Sequence, residues 1–158
     1  MSPDLMVMEA RIRKELSQLQ KLEKELAGIL KAGETKMESV RLRAYASILH
    51  DFYSGIEKIF ITIAREIDQS IPTGEGWHRQ LLEQMTLDLP TKRPAVIDAK
   101  FAAQLQEYLS FRHRFRNLYG YELQWLKMED LVKNMGPVLK DFKIYIEKFL
   151  GVLSDIMK

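Results

Sequence analysis

Apolar residues recur every three or four positions along almost the whole chain, and this spacing restricts the fold more than any other feature. Glycine and proline are scarce, at 8 and 5 of 158 residues, so long segments keep the spacing without a break. A repeat of three to four residues is the period of an amphipathic α-helix, whereas a half-buried strand alternates every two residues. The sequence carries no alternating strand pattern and no hairpin signal. It therefore predicts an all-α fold.

The first two predicted helices are long and carry clear apolar stripes. Ser2 is a good N-cap and Pro3 suits the first helical position, so the first helix is predicted to start there and to end at Gly33. The second helix is predicted from about Lys36 to Gln69, and its wide apolar arc predicts that it is the most buried helix. The stripes comprise Ile12, Leu16, Leu19, Leu26 and Leu30 on the first helix, and Tyr45, Leu49, Phe52, Ile56, Ile59, Ile63 and Ile67 on the second.

Three further helices follow a glycine-containing loop at residues 71–76. Their predicted bounds are Trp77 to about Met85, about Ile97 to Leu118, and near Met128 to Ile156 or Met157. Two prolines make residues 87–94 irregular, Gly120 is the predicted end signal of the fourth helix, and Pro137 predicts a kink or a one-turn loop in the fifth. The prediction is an up-and-down bundle of four long helices and one short helix, forming one domain over residues 1–158.

Composition excludes several classes of chemistry. The chain has no cysteine, which excludes disulfides, Cys-ligated zinc, iron–sulfur clusters and a thiol nucleophile. His50, His78 and His113 lack metal-ligand spacing, so no metal is expected, and His50 is expected to be structural, as is Trp77. The net charge of +2 gives no global field for nucleic acid or membrane. With no signal peptide pattern and no long apolar run, the chain is expected to be cytoplasmic and independent of membranes.

The unusual segment is residues 111–121, which read FRHRFRNLYGY. At about 100° per residue, Arg112 lies in the middle of the fourth helix's apolar stripe, and Arg116 lies about 40° away. The stripe neighbours within about 60° of Arg112 are Leu105, Tyr108, Phe115 and Tyr119. An Arg on such a face often reaches the rim or pairs with a neighbouring Glu. Otherwise a buried guanidinium requires a partner across a dimer face or an anionic ligand such as phosphate. Asp51 and Glu57 of the second helix are the candidate internal partners.

The same segment resembles the signature of HEPN domains, in particular the HepT-like ribonuclease toxins. Their motif is Arg, four residues, His, one residue and Tyr, near the end of a helix. Arg112 and Tyr119 match its first and last positions, whereas Asn117 stands at the His position. Further stretches that resemble HepT-like sequences are DFYSGIE at 51–57, WHRQLL at 77–82 and Arg93-Pro94. The resemblance covers roughly residues 40–125.

This resemblance implies an all-α HEPN-like bundle that acts as a homodimer, with the two motif helices forming a composite cleft. It implies a metal-independent endoribonuclease that needs no cofactor and takes RNA as substrate. It also implies a bacterial toxin–antitoxin pair, in which a minimal nucleotidyltransferase neutralises the toxin by transferring AMP to the motif tyrosine. Arg112 would then stabilise the scissile phosphate, and Tyr119 would accept AMP.

Asn117 leaves the catalytic step open, because an amide does not exchange a proton near neutral pH. In the first interpretation His113 supplies the imidazole, although an ideal helix points it about 100° away from Arg112. In the second, Arg112 and Arg116 of both chains act electrostatically. In the third, the domain is a catalytically silent module that binds RNA, a nucleotide or a nucleotidyltransferase. The ribonuclease toxin is the leading expectation, and the silent module is the alternative.

Overall fold

The computed structural model describes residues 2–32 and 38–156 and contains five α-helices within them. Their bounds are α1 Pro3–Lys31, α2 Glu38–Ile63, α3 Trp77–Gln84, α4 Ala99–Arg116 and α5 Trp125–Ile156. A π-helical turn, Ala64–Asp68, extends α2, and a 3-10 turn, Gly120–Glu122, connects α4 to α5. These two described ranges contain no strand, which confirms the all-α prediction. None of their helices combines the length and apolarity needed to cross a membrane.

Helix α1 starts as predicted. The Ser2 hydroxyl accepts a hydrogen bond from the Leu5 N–H at 3.3 Å, and Pro3 occupies the first turn. The predicted stripe is buried as far as Leu26, but Leu30 is 39% exposed and that part of the prediction is wrong. In the last turn Ile29 takes the core-facing position instead. Gly33, the predicted end signal, lies outside the described residues.

Helix α2 is the most buried helix, as predicted: 12 of its 26 residues are buried, against 10 of 32 in α5. All seven residues of its predicted stripe are buried. With the π-helical turn that extends it, the helical segment ends at Gln69, as predicted, where the backbone turns left-handed with φ of 54°. The predicted start at Lys36 lies outside the described residues. Close packing against α1 depends on Gly55, because a β-carbon there would overlap the Leu19 side chain.

The end of α4 differs from the prediction. The helix stops at Arg116 rather than Leu118, and Asn117 caps it by donating from Nδ2 to the carbonyl oxygen of His113 at 3.1 Å. Gly120 is therefore not the end signal. It lies beyond the helix, has no left-handed φ, and opens the 3-10 turn.

Helix α5 begins at Trp125, three residues before the predicted start, and runs through Pro137 without a loop. The one-turn loop is therefore not formed. Pro137 is exposed, so water can reach the carbonyl group that lacks its usual helical N–H partner. Met135, Val138, Phe142 and Phe149, which follow helical spacing across Pro137, are buried, whereas Ile156 at the end of the helix is 54% exposed.

The irregular segment at 87–94 is held by a buried arginine. The five N–H donors of Arg93 are all accepted, by the Asp68 carboxylate and by the carbonyl oxygens of Gln84, Leu87 and Pro94. A buried guanidinium is tolerated when it is paired and fully hydrogen-bonded in this way. This pair attaches the loop after α3 to the end of α2 and fixes the approach to α4.

Candidate functional site

Burial divides the motif segment at the end of α4 into an inward and an outward part. Arg112 faces inward and is 3% exposed, whereas His113, Arg114, Arg116 and Asn117 are all exposed. The predicted placement of Arg112 on the core-facing stripe is confirmed. The outward residues share the solvent side of the last helical turn.

Arg112 is paired inside the protein. Its Nη2 atom lies 3.0 Å from both carboxylate oxygens of Glu57, and its Nη1 donates to the Ser54 hydroxyl at 3.1 Å. The ring of Tyr53 lies under the guanidinium at 4.9 Å. The predicted internal carboxylate is thus confirmed as Glu57, one turn after Tyr53 on α2.

The other predicted candidate, Asp51, is exposed. Its carboxylate lies 3.4 Å from Nδ1 of His50, and the His50 ring meets Phe115 edge-on at 6.0 Å. His50 therefore packs against α4, in agreement with the structural role expected for it. Asp51 and Glu57 lie on different faces of α2: Glu57 points toward α3 and α4, whereas Asp51 points toward solvent.

His78, which was not predicted to contact Arg112, completes the Arg112 cluster. Its Nδ1 atom lies 2.7 Å from Oε2 of Glu57 and 2.9 Å from Nη2 of Arg112. If His78 Nδ1 carries a proton, it donates to the Glu57 carboxylate; if it does not, it accepts from Arg112. Each tautomer therefore satisfies one of the two contacts. The ring stacks on Trp77 at 3.7 Å, and Trp77 itself packs against the core as expected. The juxtaposition of Trp77 and His78 at the start of α3 was the available signal.

The electrostatics of this cluster are balanced internally. Burial raises the pKa of the Tyr53 hydroxyl, the Glu57 carboxylate raises it further, and Arg112 opposes the change. Tyr53 therefore stays a neutral phenol at physiological pH. The positive charge of Arg112 meets the negative charge of Glu57 in the same buried space.

Two predictions about the side of α4 that carries Arg112 are wrong. Arg116 is exposed, and Tyr119 lies outside the helix with 68% of its surface exposed. Tyr119 would lie on that side only in a helix that continues through residue 119. Because α4 ends at Arg116, the chain turns away and Tyr119 leaves the apolar stripe.

Three of the outward residues, His113, Arg114 and Asn117, line a groove of about 530 Å³ between the end of α4 and the start of α5, whereas Arg116 lies outside it. Its lining comprises Phe111, His113, Arg114, Asn117, Leu118, Glu122, Leu123, Gln124, Lys127 and Met128. His113 and Asn117 are one helical turn apart and share this groove. Arg112 does not line it. The groove brings together an imidazole, a guanidinium and an amide.

The turn after α4 presents two aromatic rings. The Tyr119 N–H donates to Oε1 of Glu122 at 3.1 Å, and the Glu122 N–H donates back to the Tyr119 carbonyl oxygen at 2.8 Å. The rings of Tyr119 and Tyr121 are nearly parallel, at 5° and 5.4 Å between centroids. The turn is thus fixed at both ends, and the Tyr119 hydroxyl belongs to an exposed side chain.

A family model described as a HepT-like protein matches residues 44–153 of this chain. The chain belongs to the HepT-like family. The matched range includes the Arg112 cluster, the groove and the aromatic turn. Neither a curated protein nor a solved structure matches the chain.

The two parts of the site in this HepT-like protein have different chemical capacities. The inward cluster of Arg112, Glu57 and His78 supplies no free charge, because its cation and anion neutralise each other. The groove offers an exposed imidazole that can carry a proton and an exposed guanidinium that can bind a phosphate. In the described parts of the chain, His, Asp and Glu side chains form no group of three or more that could hold a metal ion.

Proposed function

We propose that this HepT-like protein is the toxin of a bacterial toxin–antitoxin pair, a metal-independent endoribonuclease that acts in the cytoplasm as a homodimer. The observation that carries the proposal is the groove in which His113 and Arg114 are exposed beside Asn117, within the motif segment of a HepT-like chain. The groove contains the His113 imidazole, which can exchange a proton, whereas the Asn117 amide cannot. The interpretation in which His113 carries the proton is therefore the one that the geometry favours.

The reaction is a transesterification within the RNA strand. His113 removes the proton from a ribose 2′-hydroxyl, and the 2′-oxygen attacks the adjacent phosphorus. The bond from phosphorus to the 5′-oxygen breaks, and the departing oxygen receives the proton back from the imidazole. The products are a 2′,3′-cyclic phosphate and a 5′-hydroxyl end. Arg114, which lines the groove, opposes the charge that develops on the phosphoryl oxygens, and the exposed Arg116 adds positive charge from outside the groove.

Arg112 has a positioning role in this proposal. Its guanidinium is 3% exposed and already shared among Glu57, Ser54 and His78, so a phosphate would have to displace a buried carboxylate to reach it. Removing that partner is costly. Arg112 instead fixes the last turn of α4 on α2, and so sets the direction of His113 and Arg114.

Neutralisation by AMP transfer requires a reachable tyrosine hydroxyl, and Tyr119 meets that requirement with 68% exposure. Its phenolic oxygen would attack the α-phosphorus of ATP on the partner nucleotidyltransferase. Pyrophosphate leaves and the phenolic proton passes to solvent. The AMP group would then lie beside the groove and add negative charge where the RNA phosphate is expected to bind.

The homodimer is proposed because apolar side chains are exposed at the end of the bundle that carries the groove. Exposed apolar residues near it include Leu118 at 39% and Leu126 at 86%. A second copy apposed at this end of the bundle would cover them and would form a cleft from two grooves. Light scattering at micromolar concentration tests this step, and a monomer would contradict it.

The ribonuclease is tested by incubating purified protein with RNA in the presence of EDTA. We expect wild-type cleavage, a loss of about 10²-fold or more in His113→Ala because a general acid–base is removed, and a smaller loss in Arg114→Ala. Arg11→Ala, an exposed arginine on α1 that does not line the groove, is the matched control and should cleave like wild type. Cleavage that is abolished by EDTA, or unchanged in both groove variants, would refute the proposal.

A catalytically silent module is the second candidate, and the internally neutralised Arg112 together with Asn117 favours it. Such a protein would cleave no RNA in any variant yet would still accept AMP. Co-expression with a neighbouring nucleotidyltransferase, followed by mass spectrometry, separates the two. AMP transfer to Tyr119 is supported if wild type and Tyr121→Phe each gain one AMP mass and Tyr119→Phe does not. An unmodified Tyr119 peptide in the wild type would refute AMP transfer to this residue.

A further inference from the structure

The turn between α4 and α5 exposes two large aromatic rings side by side. Tyr119 and Tyr121 are 68% and 73% exposed, whereas the other four tyrosines of the chain are buried or half-buried, namely Tyr45, Tyr53, Tyr108 and Tyr145. The two rings are stacked in parallel, at 5° and 5.4 Å between centroids, and the pair is here named the tyrosine platform. Exposed aromatic surface of this size is typical of a binding site.

The platform is held in place by its own backbone. The reciprocal hydrogen bonds between Tyr119 and Glu122 close the turn, and Leu123, which is 7% exposed, anchors it in the core. On the inner side the turn lies against the guanidinium of Arg43 from α2, at Gly120, where a β-carbon would overlap that guanidinium. Because the turn is already ordered, it loses little conformational entropy when a ligand binds to the rings.

Basic residues flank the platform in the sequence. Arg114 and Arg116 precede it and Lys127 follows it, while the Arg43 guanidinium lies against Gly120, between the two tyrosines. Between residues 111 and 127 the only acidic residue is Glu122, and its carboxylate already accepts the Tyr119 N–H. An apolar protein partner would gain binding free energy from contact with the rings but none from these positive charges. A ligand that combines flat π-faces with a phosphate backbone gains from both.

We propose that the tyrosine platform binds unpaired nucleobases of single-stranded RNA by stacking, while Arg114 and Arg116 hold the adjacent phosphates. This inference rests on the proposed action on RNA and specifies its substrate as a strand whose bases are free. In a duplex the bases are stacked on each other and cannot reach the rings. Every base has a π-face, so the platform selects single strands rather than a sequence.

The test measures binding without cleavage, by fluorescence anisotropy of a labelled 2′-O-methyl oligonucleotide that has no 2′-hydroxyl to react. Loss of one stacking contact costs about 1–3 kcal/mol, so Tyr121→Ala should weaken binding by about 5- to 150-fold. Tyr121→Phe keeps the ring and should bind within about twofold of wild type. Ile144→Ala is the matched control, because Ile144 is an exposed apolar residue of α5 (59% exposed) that lies outside the turn and does not line the groove; it should not change affinity. The same oligonucleotide as a duplex should bind more weakly than the single strand.

Thermal melting first verifies that Tyr121→Ala is folded, as its exposure predicts. Wild-type affinity in Tyr121→Ala, loss of binding in Tyr121→Phe, equal binding of duplex and single strand, or no binding by wild type would each overturn the proposal. A change of oligomeric state in Tyr121→Ala with unchanged affinity would also overturn it and would assign the rings to a protein contact. If cleavage depends on His113 but Tyr121→Ala binds RNA as wild type does, the platform proposal alone is refuted. If binding depends on the Tyr121 ring but no RNA is cleaved, the ribonuclease proposal alone is refuted.

Discussion

Replacing Glu57 by alanine should destabilise the protein far more than the loss of an ordinary surface charge. The substitution leaves Arg112, 3% exposed, without its carboxylate. At an effective dielectric constant of about 20, two charges about 4 Å apart attract by roughly 4 kcal/mol, and each also carries a desolvation cost of several kcal/mol. Breaking a buried pair from one side typically costs about 3–5 kcal/mol. Since Ser54 and His78 still contact the guanidinium, we expect the lower end, about 3 kcal/mol.

Urea unfolding followed by tryptophan fluorescence and circular dichroism measures this loss. With a slope of roughly 2 kcal/mol per molar urea, a loss of about 3 kcal/mol moves the midpoint down by about 1.5 M. Glu147→Ala is the control, because it removes an exposed carboxylate that pairs with Arg13 at 2.6 Å between α1 and α5. It should cost less than about 1 kcal/mol, as exposed ion pairs do.

A double-mutant cycle distinguishes the buried pair from general damage to the core. Glu57→Leu combined with Arg112→Met removes both charges, and buried pairs replaced in this way are often no less stable. We therefore expect the double variant to be more stable than Glu57→Leu alone. A cost below about 1 kcal/mol for Glu57→Ala, or additivity of the two single variants within about 0.5 kcal/mol, would refute the reasoning.

Two further predictions concern packing and pH. Gly55→Ala should cost about 1–3 kcal/mol by urea unfolding, since its new methyl group would overlap Leu19, whereas Gly151→Ala on α5 meets no atom and should gain up to about 1 kcal/mol. Bonds from a backbone N–H and from the Tyr145 hydroxyl hold the pKa of Asp98 below its usual value, and the same bond raises the pKa of Tyr145 to about 12. The stability that the Asp98 carboxylate contributes is complete above its unfolded pKa of about 4 and is lost as pH falls through the lower folded pKa. The decrease in Tm that Asp98→Ala causes at pH 7 should therefore become smaller below about pH 4. The stability that the Tyr145 phenol contributes is complete below about pH 10 and is lost as pH rises toward 12. A Tm difference that is constant from pH 7 to pH 3 would contradict the Asp98 argument.

The fold was predictable because helix period and end signals are local properties of the sequence. The Ser2 cap and the stripe of α2 required no knowledge of the neighbouring helices. The failures occurred where a local rule competes with tertiary structure. Pro137 lies on an exposed face and is tolerated inside α5, and Gly120 was given a role that Asn117 fills three residues earlier.

The site was less predictable, because a helical wheel gives the face of a residue but not what lies opposite. The wheel placed Arg112 on the core side, and the adjacent second helix offered both Asp51 and Glu57 as partners; the structure confirms Glu57 and not Asp51. It could not show that His78, on a separate short helix, would reach the same carboxylate. That contact depends on the loop between α2 and α3 and on the Arg93 anchor that follows α3, and no periodicity in the sequence encodes either of them.

The position of Arg112 also bears on how an Asn at the motif His position can be compatible with activity. Residues 112 and 113 point to different sides of α4, so an arginine fixed inward obliges the adjacent imidazole to face outward. That side carries the groove, where His113 lies one turn before Asn117. In the proposed ribonuclease, the ion pair with Glu57 that keeps Arg112 away from the RNA phosphate would thus also be the interaction that holds His113 toward solvent. Weakening the Arg112–Glu57 pair should therefore reduce cleavage through the orientation of α4, even though neither residue lines the groove.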